Sequence, residues 1–212
     1  MLFRSVLSLL YPDGTFPKLN DSFAQAIERR DYIYEHANAH YDEPVFREIL
    51  TEIYDDLGYK RNTMEALFFG RKYERGVLQI SPSLNDKMGL SILRSGDRLQ
   101  DLAAIMDYGP HGLGHGHFDK LHLSLFGQGY EWLPDLGIGQ ANTAEFGGWF
   151  RQSLGHNTII LGEQNQKIDS ENERSIDLYS SSLDSFQVMK ATIGRSVYPQ
   201  GSSVQRTVIT VA

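Results

Sequence analysis

The spacing of the apolar residues changes near residue 76. Between residues 21 and 70, apolar side chains recur close to the 3.6-residue period of an amphipathic helix. After residue 76, short apolar runs alternate with Gly, Asp, Ser and Asn, which is typical of an antiparallel sandwich or barrel. The chain is therefore predicted to be α+β, with helices in residues 1–75 and a β-sandwich in residues 76–212.

Three helices are predicted in the first part. One begins after Asp21 or Ser22, which are candidate N-caps. A second spans residues 44–58 and ends at a glycine, a residue that tolerates the left-handed conformation found past many helix ends. A third covers residues 63–69, with Asn62 as its candidate cap.

Six strands are predicted in the second part from apolar runs rich in Val, Ile, Phe and Thr. They cover residues 90–93, 102–106, 121–126, 158–161, 186–193 and 204–211. The polar residues 161–177 are expected to form a long loop or an exposed edge. The chain opens on an apolar helix tail and stops within a strand, so we expect the natural protein to continue past both ends.

Charge and composition exclude several classes of protein. Asp and Glu outnumber Lys and Arg by 27 to 20, a formal net charge of −7, whereas a broad nucleic-acid-binding surface needs the opposite balance. No stretch approaches the roughly 18 apolar residues that cross a bilayer. The chain has no cysteine, so any metal must bind to His, Asp or Glu, and seven histidines are present.

The densest chemical signal is the run from Asp107 to Lys120, where His111, His115 and His117 lie among four glycines. Histidines two residues apart in an extended segment project to the same side. A neutral imidazole is the commonest metal ligand and the usual acid or base near neutral pH. The block therefore predicts a metal or catalytic site just before a strand.

Two other interpretations of this block remain open. Its glycines are similar to a nucleotide-binding fingerprint, but the spacing is not GxGxxG and an apolar strand-like run follows. The glycines could also shape only a turn that leaves the histidines in solvent. A pair of histidines flanked by aspartates favours a functional site over this second interpretation.

Two later segments supply matching groups. Asp135 lies in a short segment after Trp132, and His156 directly precedes a predicted strand. Two imidazoles and one carboxylate suit Zn²⁺ and leave one coordination position for water. The groups come from separate segments, so spacing alone does not establish that they converge.

These blocks together resemble the heparinase II/III-like family of polysaccharide lyases, which includes heparin/heparan lyases and alginate lyases. The resemblance rests on four blocks of this sequence: Asp107-Tyr-Gly-Pro-His-Gly-Leu-Gly-His-Gly-His-Phe-Asp-Lys-Leu121, Leu133-Pro-Asp-Leu-Gly137, Trp149-Phe-Arg-Gln-Ser-Leu-Gly-His-Asn-Thr158, and the upstream Tyr11-Pro-Asp-Gly-Thr-Phe-Pro-Lys-Leu-Asn-Asp-Ser22.

The resemblance implies the end of an (α/α) toroid followed by an antiparallel β-sandwich. It implies zinc bound by His117, Asp135 and His156, with His115 facing the substrate as the candidate catalytic residue. His111 is a candidate substrate-binding residue. The implied activity is β-elimination at a uronate of an acidic polysaccharide, either alginate or a heparin/heparan-like glycan. A periplasmic or secreted location is favoured over a cytoplasmic one.

The chain departs from the family pattern in one respect. The family's catalytic Tyr and its Asn/His pair lie upstream of the block that begins at Tyr11, so we expect this chain alone to lack them. This departure supports an alternative function, a non-catalytic carbohydrate-binding or structural sandwich in which a metal only holds loops together. If the sequence upstream of this chain holds an Asn-His pair and a Tyr in a helical context, the lyase is favoured over the non-catalytic sandwich.

Overall fold

The computed structural model describes residues 6–96, 98–111, 114–139, 143–168, 173–181, 185–198 and 201–211. Within them the first part of the chain forms α1 (Asp31–His40), α2 (Pro44–Thr51) and α3 (Met64–Phe69). A π-helical turn, Glu52–Asp56, prolongs α2, and Gly58 follows with a φ of +74°. The predicted end of the second helix is therefore confirmed.

The predicted start of the first helix is wrong. Residues Thr15–Phe16 (β1) and Gln25–Ala26 (β2) pair as a short antiparallel ladder, and a 3₁₀ turn leads from β2 into α1. Asp21 does not cap a helix because its carboxylate contacts two histidine rings instead. The predicted cap of α3 is also wrong by one residue, since Oγ1 of Thr63 accepts the bond from the Ala66 N–H at 3.2 Å.

A five-stranded antiparallel sheet forms the centre of the second part, with strands in the order β3-β4-β5-β6-β7. Its strands are Ser83–Asn85 (β3), Leu90–Arg94 (β4), Ala103–Asp107 (β5), His122–Gly127 (β6) and Tyr130–Leu133 (β7). Every residue of β4 and β5 is buried, because other parts of the chain cover both faces of this sheet.

A three-stranded sheet, in the order β10-β9-β8, covers one of these faces. Its strands are Arg174–Ser180 (β8), Phe186–Ile193 (β9) and Val204–Val211 (β10). The core between the sheets includes Met106 from β5 and Met189 from β9. On the opposite face, Tyr11 stacks on Phe126 with ring centroids 5.0 Å apart. The antiparallel sandwich is thus confirmed, whereas the toroid assignment of the helices stays a prediction.

The strand predictions include one segment that is not a strand, and they miss several strands that the structure contains. Residues 158–161 are not a strand: Leu161 makes only an isolated bridge with Gln164, and the Thr158 hydroxyl donates to the Lys120 carbonyl. β8 lies at an edge and begins inside the polar stretch, of which residues 169–172 lie outside the described part. β3 and β7 were not predicted. Among the described residues, no helix has the length and apolar character to cross a membrane.

Candidate metal centre and adjoining histidine

The structure brings together the three residues predicted as metal ligands. One potential ligand atom from each of His117, Asp135 and His156 lies within 4.8 Å of the other two, and all three residues are buried. β6 and β7 are antiparallel neighbours, so the loop that enters β6 and the loop that leaves β7 meet at one end of the sheet. His117 lies on the first loop and Asp135 on the second.

Asn157 brings His156 to the same place. Its side-chain amide donates to the Pro134 carbonyl at 2.9 Å, and its own carbonyl accepts from the Leu123 N–H at 3.2 Å. The segment after the 3₁₀ turn Ser153–Gly155 is therefore attached both to the Asp135 loop and to β6.

The polar atoms of this cluster are incompletely satisfied, which tests whether a metal fits. Within the described residues, Nδ1 of His117, Oδ2 of Asp135 and both ring nitrogens of His156 are buried and have no hydrogen-bond partner. Leaving one such atom unsatisfied typically costs about 1–3 kcal/mol. A divalent ion bound by one atom of each residue would satisfy three of these four atoms, and two imidazoles with one carboxylate are a donor set that Zn²⁺ accepts. The residues present therefore fit the metal that the resemblance implies.

The carboxylate of the cluster is held in its charged form. Burial alone would raise the pKa of Asp135, but the adjacent His156 ring outweighs burial and keeps that pKa below its usual range. Nδ1 of His156 lies 3.2 Å from Oδ1 of Asp135. An ionised carboxylate is the form that binds a cation.

His122 is a third histidine at the cluster, and sequence reasoning missed it. The N–H of Asn157 donates to its Nδ1 at 3.2 Å, so the ring proton is on Nε2, 2.9 Å from Oγ of Ser124. That Nε2 is 3.5 Å from Oδ2 of Asp135. Burial lowers the pKa of His122 to about 4, so the ring is neutral. His122 lies in an apolar run, where the sequence pattern predicts a strand residue and gives no sign of a metal site.

His115, the candidate catalytic residue, lies at the surface next to this cluster. Its side chain is 91% exposed, and its Nδ1 lies 3.0 Å from Oδ2 of Asp21. The other oxygen of Asp21 lies 2.8 Å from Nε2 of His117. Asp21 is thus a site residue that sequence reasoning missed, although it lies within the upstream block that carries the resemblance.

His111 is placed apart from these contacts. Its Nε2 lies 3.1 Å from Oε1 of Gln166, and its ring meets Phe118 edge-on at 5.6 Å. Its role as a substrate-binding residue stays a prediction. Gly112, one of the glycines of the nucleotide-like spacing, lies outside the described residues, and the element that follows the block is the strand β6.

Comparisons with known proteins agree on one family. The model of the heparinase II/III-like C-terminal domain matches residues 81–210. The chain is 33% identical over 100 residues to an exo-oligoalginate lyase of Saccharophagus degradans, covering 42% of this chain and 14% of that protein. It is 32% identical over 151 residues to an alginate lyase of Stenotrophomonas maltophilia, covering 64% and 20%.

Solved structures share the fold at lower identity. A mutant of heparan sulfate lyase HepC from Pedobacter heparinus superimposes with a TM-score of 0.74 at 19% identity, over 99% of this chain and 30% of that one. Heparinase III gives 0.70 at 17% identity, over 97% and 31%. The chain thus spans less than a third of the length of each of these relatives. Since the family model matches more than half of its residues, the chain belongs to the heparinase II/III-like family.

Proposed function

We propose that this chain forms the metal-bearing part of a polysaccharide lyase that cleaves uronic-acid-containing glycans by β-elimination. The observation that carries the proposal is the exposed imidazole of His115, joined through Asp21 to a buried cluster of metal-ligand type. Family membership supports it, and so do the two relatives named as alginate lyases. The substrate class is an acidic polysaccharide or oligosaccharide, either alginate or a heparan-like glycan.

The reaction needs a base, an acid and a means of stabilising negative charge. A base removes the proton at C5 of the uronate, and the C4–O bond to the neighbouring sugar breaks as a C4–C5 double bond forms. The departing oxygen takes up a proton from an acid. Donors near the uronate carboxylate stabilise the charge that develops at C5. His115, as an exposed imidazole with one nitrogen engaged by a carboxylate, suits the proton transfer or the carboxylate contact.

His117, Asp135 and His156 would hold the zinc ion. A bound zinc would supply a fixed positive charge that orders the loops around His115. The cluster is buried, whereas His115 is exposed, so the metal-binding and substrate-facing roles fall on different residues.

The test is cleavage by the full-length protein. Incubation with alginate, heparan sulfate or chondroitin should generate unsaturated uronate ends that absorb in the ultraviolet. His115→Ala should lower this rate by about 10²- to 10⁴-fold, the usual contribution of a proton-transfer group. His40→Ala is the matched control, because His40 is an exposed imidazole that packs against Phe69 on the helical part. Absence of cleavage with all three glycans would refute the lyase.

One observation favours a second function. All three candidate ligands are buried, so an ion held by them would be shielded from a bound glycan and could serve only to hold the loops together. A non-catalytic carbohydrate-binding sandwich would bind a glycan without turnover. Equilibrium binding by the full-length protein, with no new absorbing ends over long incubation, would favour this function over the lyase.

A further inference from the structure

The carboxylate of Asp21 contacts two histidines with different surroundings. Oδ1 lies 2.8 Å from Nε2 of His117, whose side chain is fully buried, and Oδ2 lies 3.0 Å from Nδ1 of the exposed His115. Asp21 itself is nearly buried, with 7% of its side chain exposed. One carboxylate therefore joins the candidate metal centre to the candidate catalytic imidazole.

These contacts determine where the ring protons lie. An ionised carboxylate only accepts hydrogen bonds, so the nitrogen that faces it must carry the proton. In His117 this places the proton on Nε2 and leaves the lone pair on Nδ1, the atom without a partner in the cluster. In His115 it places a proton on Nδ1, so the neutral form of this ring has its lone pair on Nε2.

The backbone around Asp21 fixes this arrangement. Oδ1 of Asn20 accepts from the His117 N–H at 3.2 Å, and the Asp21 N–H donates to the His115 carbonyl at 3.3 Å. The carbonyl of Ser22 accepts from the Ile138 N–H at 3.0 Å, on the loop that follows Asp135. Residues 20–22 thus connect the loop of the two histidines to the loop of the carboxylate ligand.

We propose that Asp21 is a positioning residue that couples the metal centre to His115 by holding both imidazoles in fixed tautomers. This inference rests on the proposed function only for the role of His115. His117 is held with Nδ1 ready to bind the ion, and His115 is held with Nε2 ready to accept a proton. Loss of the hydrogen bond that a metal-binding imidazole donates to a carboxylate commonly lowers metal affinity by about 10- to 100-fold.

Asp21→Asn tests the coupling at nearly constant shape. The amide NH₂ cannot accept a hydrogen bond, so one of the two rings must change its tautomer or lose its partner. We expect zinc affinity, measured by chelator competition, to fall about 10- to 100-fold. We also expect kcat to fall with little change in KM, because His115 moves protons rather than providing most of the binding. Asp21→Glu, which keeps the carboxylate, should recover part of both losses.

Asp101→Asn is the matched control, because Asp101 is a carboxylate held by Arg98 on a turn. It should leave zinc affinity and kcat within about twofold of wild type, as expected for a surface substitution. Long-range ¹H–¹⁵N spectra of the wild-type zinc form should show His115 protonated at Nδ1 and His117 at Nε2. This measurement needs no variant and no substrate.

The outcomes separate the two proposals. Wild-type zinc affinity in Asp21→Asn, or a His115 ring protonated at Nε2 alone, would overturn the coupling. Weakened zinc binding and the stated tautomers in a protein that cleaves no glycan would support the coupling and refute the lyase. A purely structural Asp21 would lower stability and leave the zinc affinity of the folded fraction unchanged, which also overturns the coupling.

Discussion

Gly137 allows a direct test of the contact between the segment that carries Asp21 and the loop that carries Asp135. Its φ is +63°, and a Cβ there would lie 2.4 Å from the carbonyl oxygen of Ser22 and 2.9 Å from Cβ of Lys18. Its N–H also donates to Oδ1 of Asp135 at 3.0 Å. Gly137→Ala therefore perturbs the backbone conformation, the packing and a metal-ligand residue together.

The expected loss of stability has two parts. The left-handed conformation costs a non-glycine residue about 1–2 kcal/mol. Relieving the clash with the Ser22 carbonyl requires backbone movement, for which overpacking costs of about 1–3 kcal/mol are typical. Gly58→Ala is the control for the first part, because Gly58 has a φ of +74° and no atom within 4 Å of the added Cβ. We expect Gly137→Ala to lose roughly 2–5 kcal/mol and Gly58→Ala about 1–2 kcal/mol.

Urea denaturation with and without zinc measures both effects. The stabilisation that zinc adds reports its affinity for the folded state. It should shrink in Gly137→Ala because the shifted backbone displaces Asp135, and it should be unchanged in Gly58→Ala. Equal losses of stability in the two variants, together with an unchanged effect of zinc, would refute the packing of residues 18–22 against this loop.

Three further predictions concern the candidate metal ligands, a buried ion pair and a carboxylate on β8. Substitution of His117, Asp135 or His156 by alanine should lower both the zinc content, measured by elemental analysis, and the melting temperature. A wild-type protein that contains no metal and is as stable as the variants would contradict the ligand assignment. Arg61→Ala should lower the free energy of unfolding by about 3 kcal/mol in urea titrations, because it leaves the fully buried Glu35 carboxylate without its bidentate partner. Hydrogen bonds from three side chains lower the pKa of Asp177, in the order Ser175, Thr192 and Gln205. The stability that these hydrogen bonds add is fully present above the pKa of Asp177 in the unfolded chain, about 4, and is lost as the pH falls through its lower pKa in the folded protein. Asp177→Asn should therefore lose less stability than wild type when the pH is lowered from neutral to acid. An unchanged dependence of the free energy of unfolding on pH would contradict this.

Five strands of the sandwich were predictable because apolar and β-branched residues recur through them, namely β4, β5, β6, β9 and β10. β3 and β7 are only three and four residues long, and β8 includes Arg, Asp and two Ser among its seven residues, so the apolar signal of these strands is weak. Residues 158–161 have the apolar pattern of a strand but do not form one, because the Thr158 hydroxyl donates to the Lys120 carbonyl and the segment pairs with no neighbouring strand in the described part of the chain.

The candidate site was predictable only in part. Residue types and the resemblance selected His117, Asp135 and His156, but their convergence depends on the β6–β7 pairing and on Asn157, which spacing does not encode. Asp21 was misread as a helix cap because the same residue type serves both purposes. Its partners lie more than ninety positions away in sequence, and the local spacing of residue types does not predict contacts at that separation.

The segment of residues 7–22 has a consequence for recombination between relatives. Leu7 and Leu10 pack among the helices, Arg94 of β4 donates to the Ser8 carbonyl at 2.7 Å, and Asp21 reaches the histidines. A chimera joined between residues 75 and 76 would take this segment and the helices from one parent, and the sandwich residues that the segment contacts from the other. A chimera should therefore function best when its β-sandwich and its residues 7–22 come from the same parent.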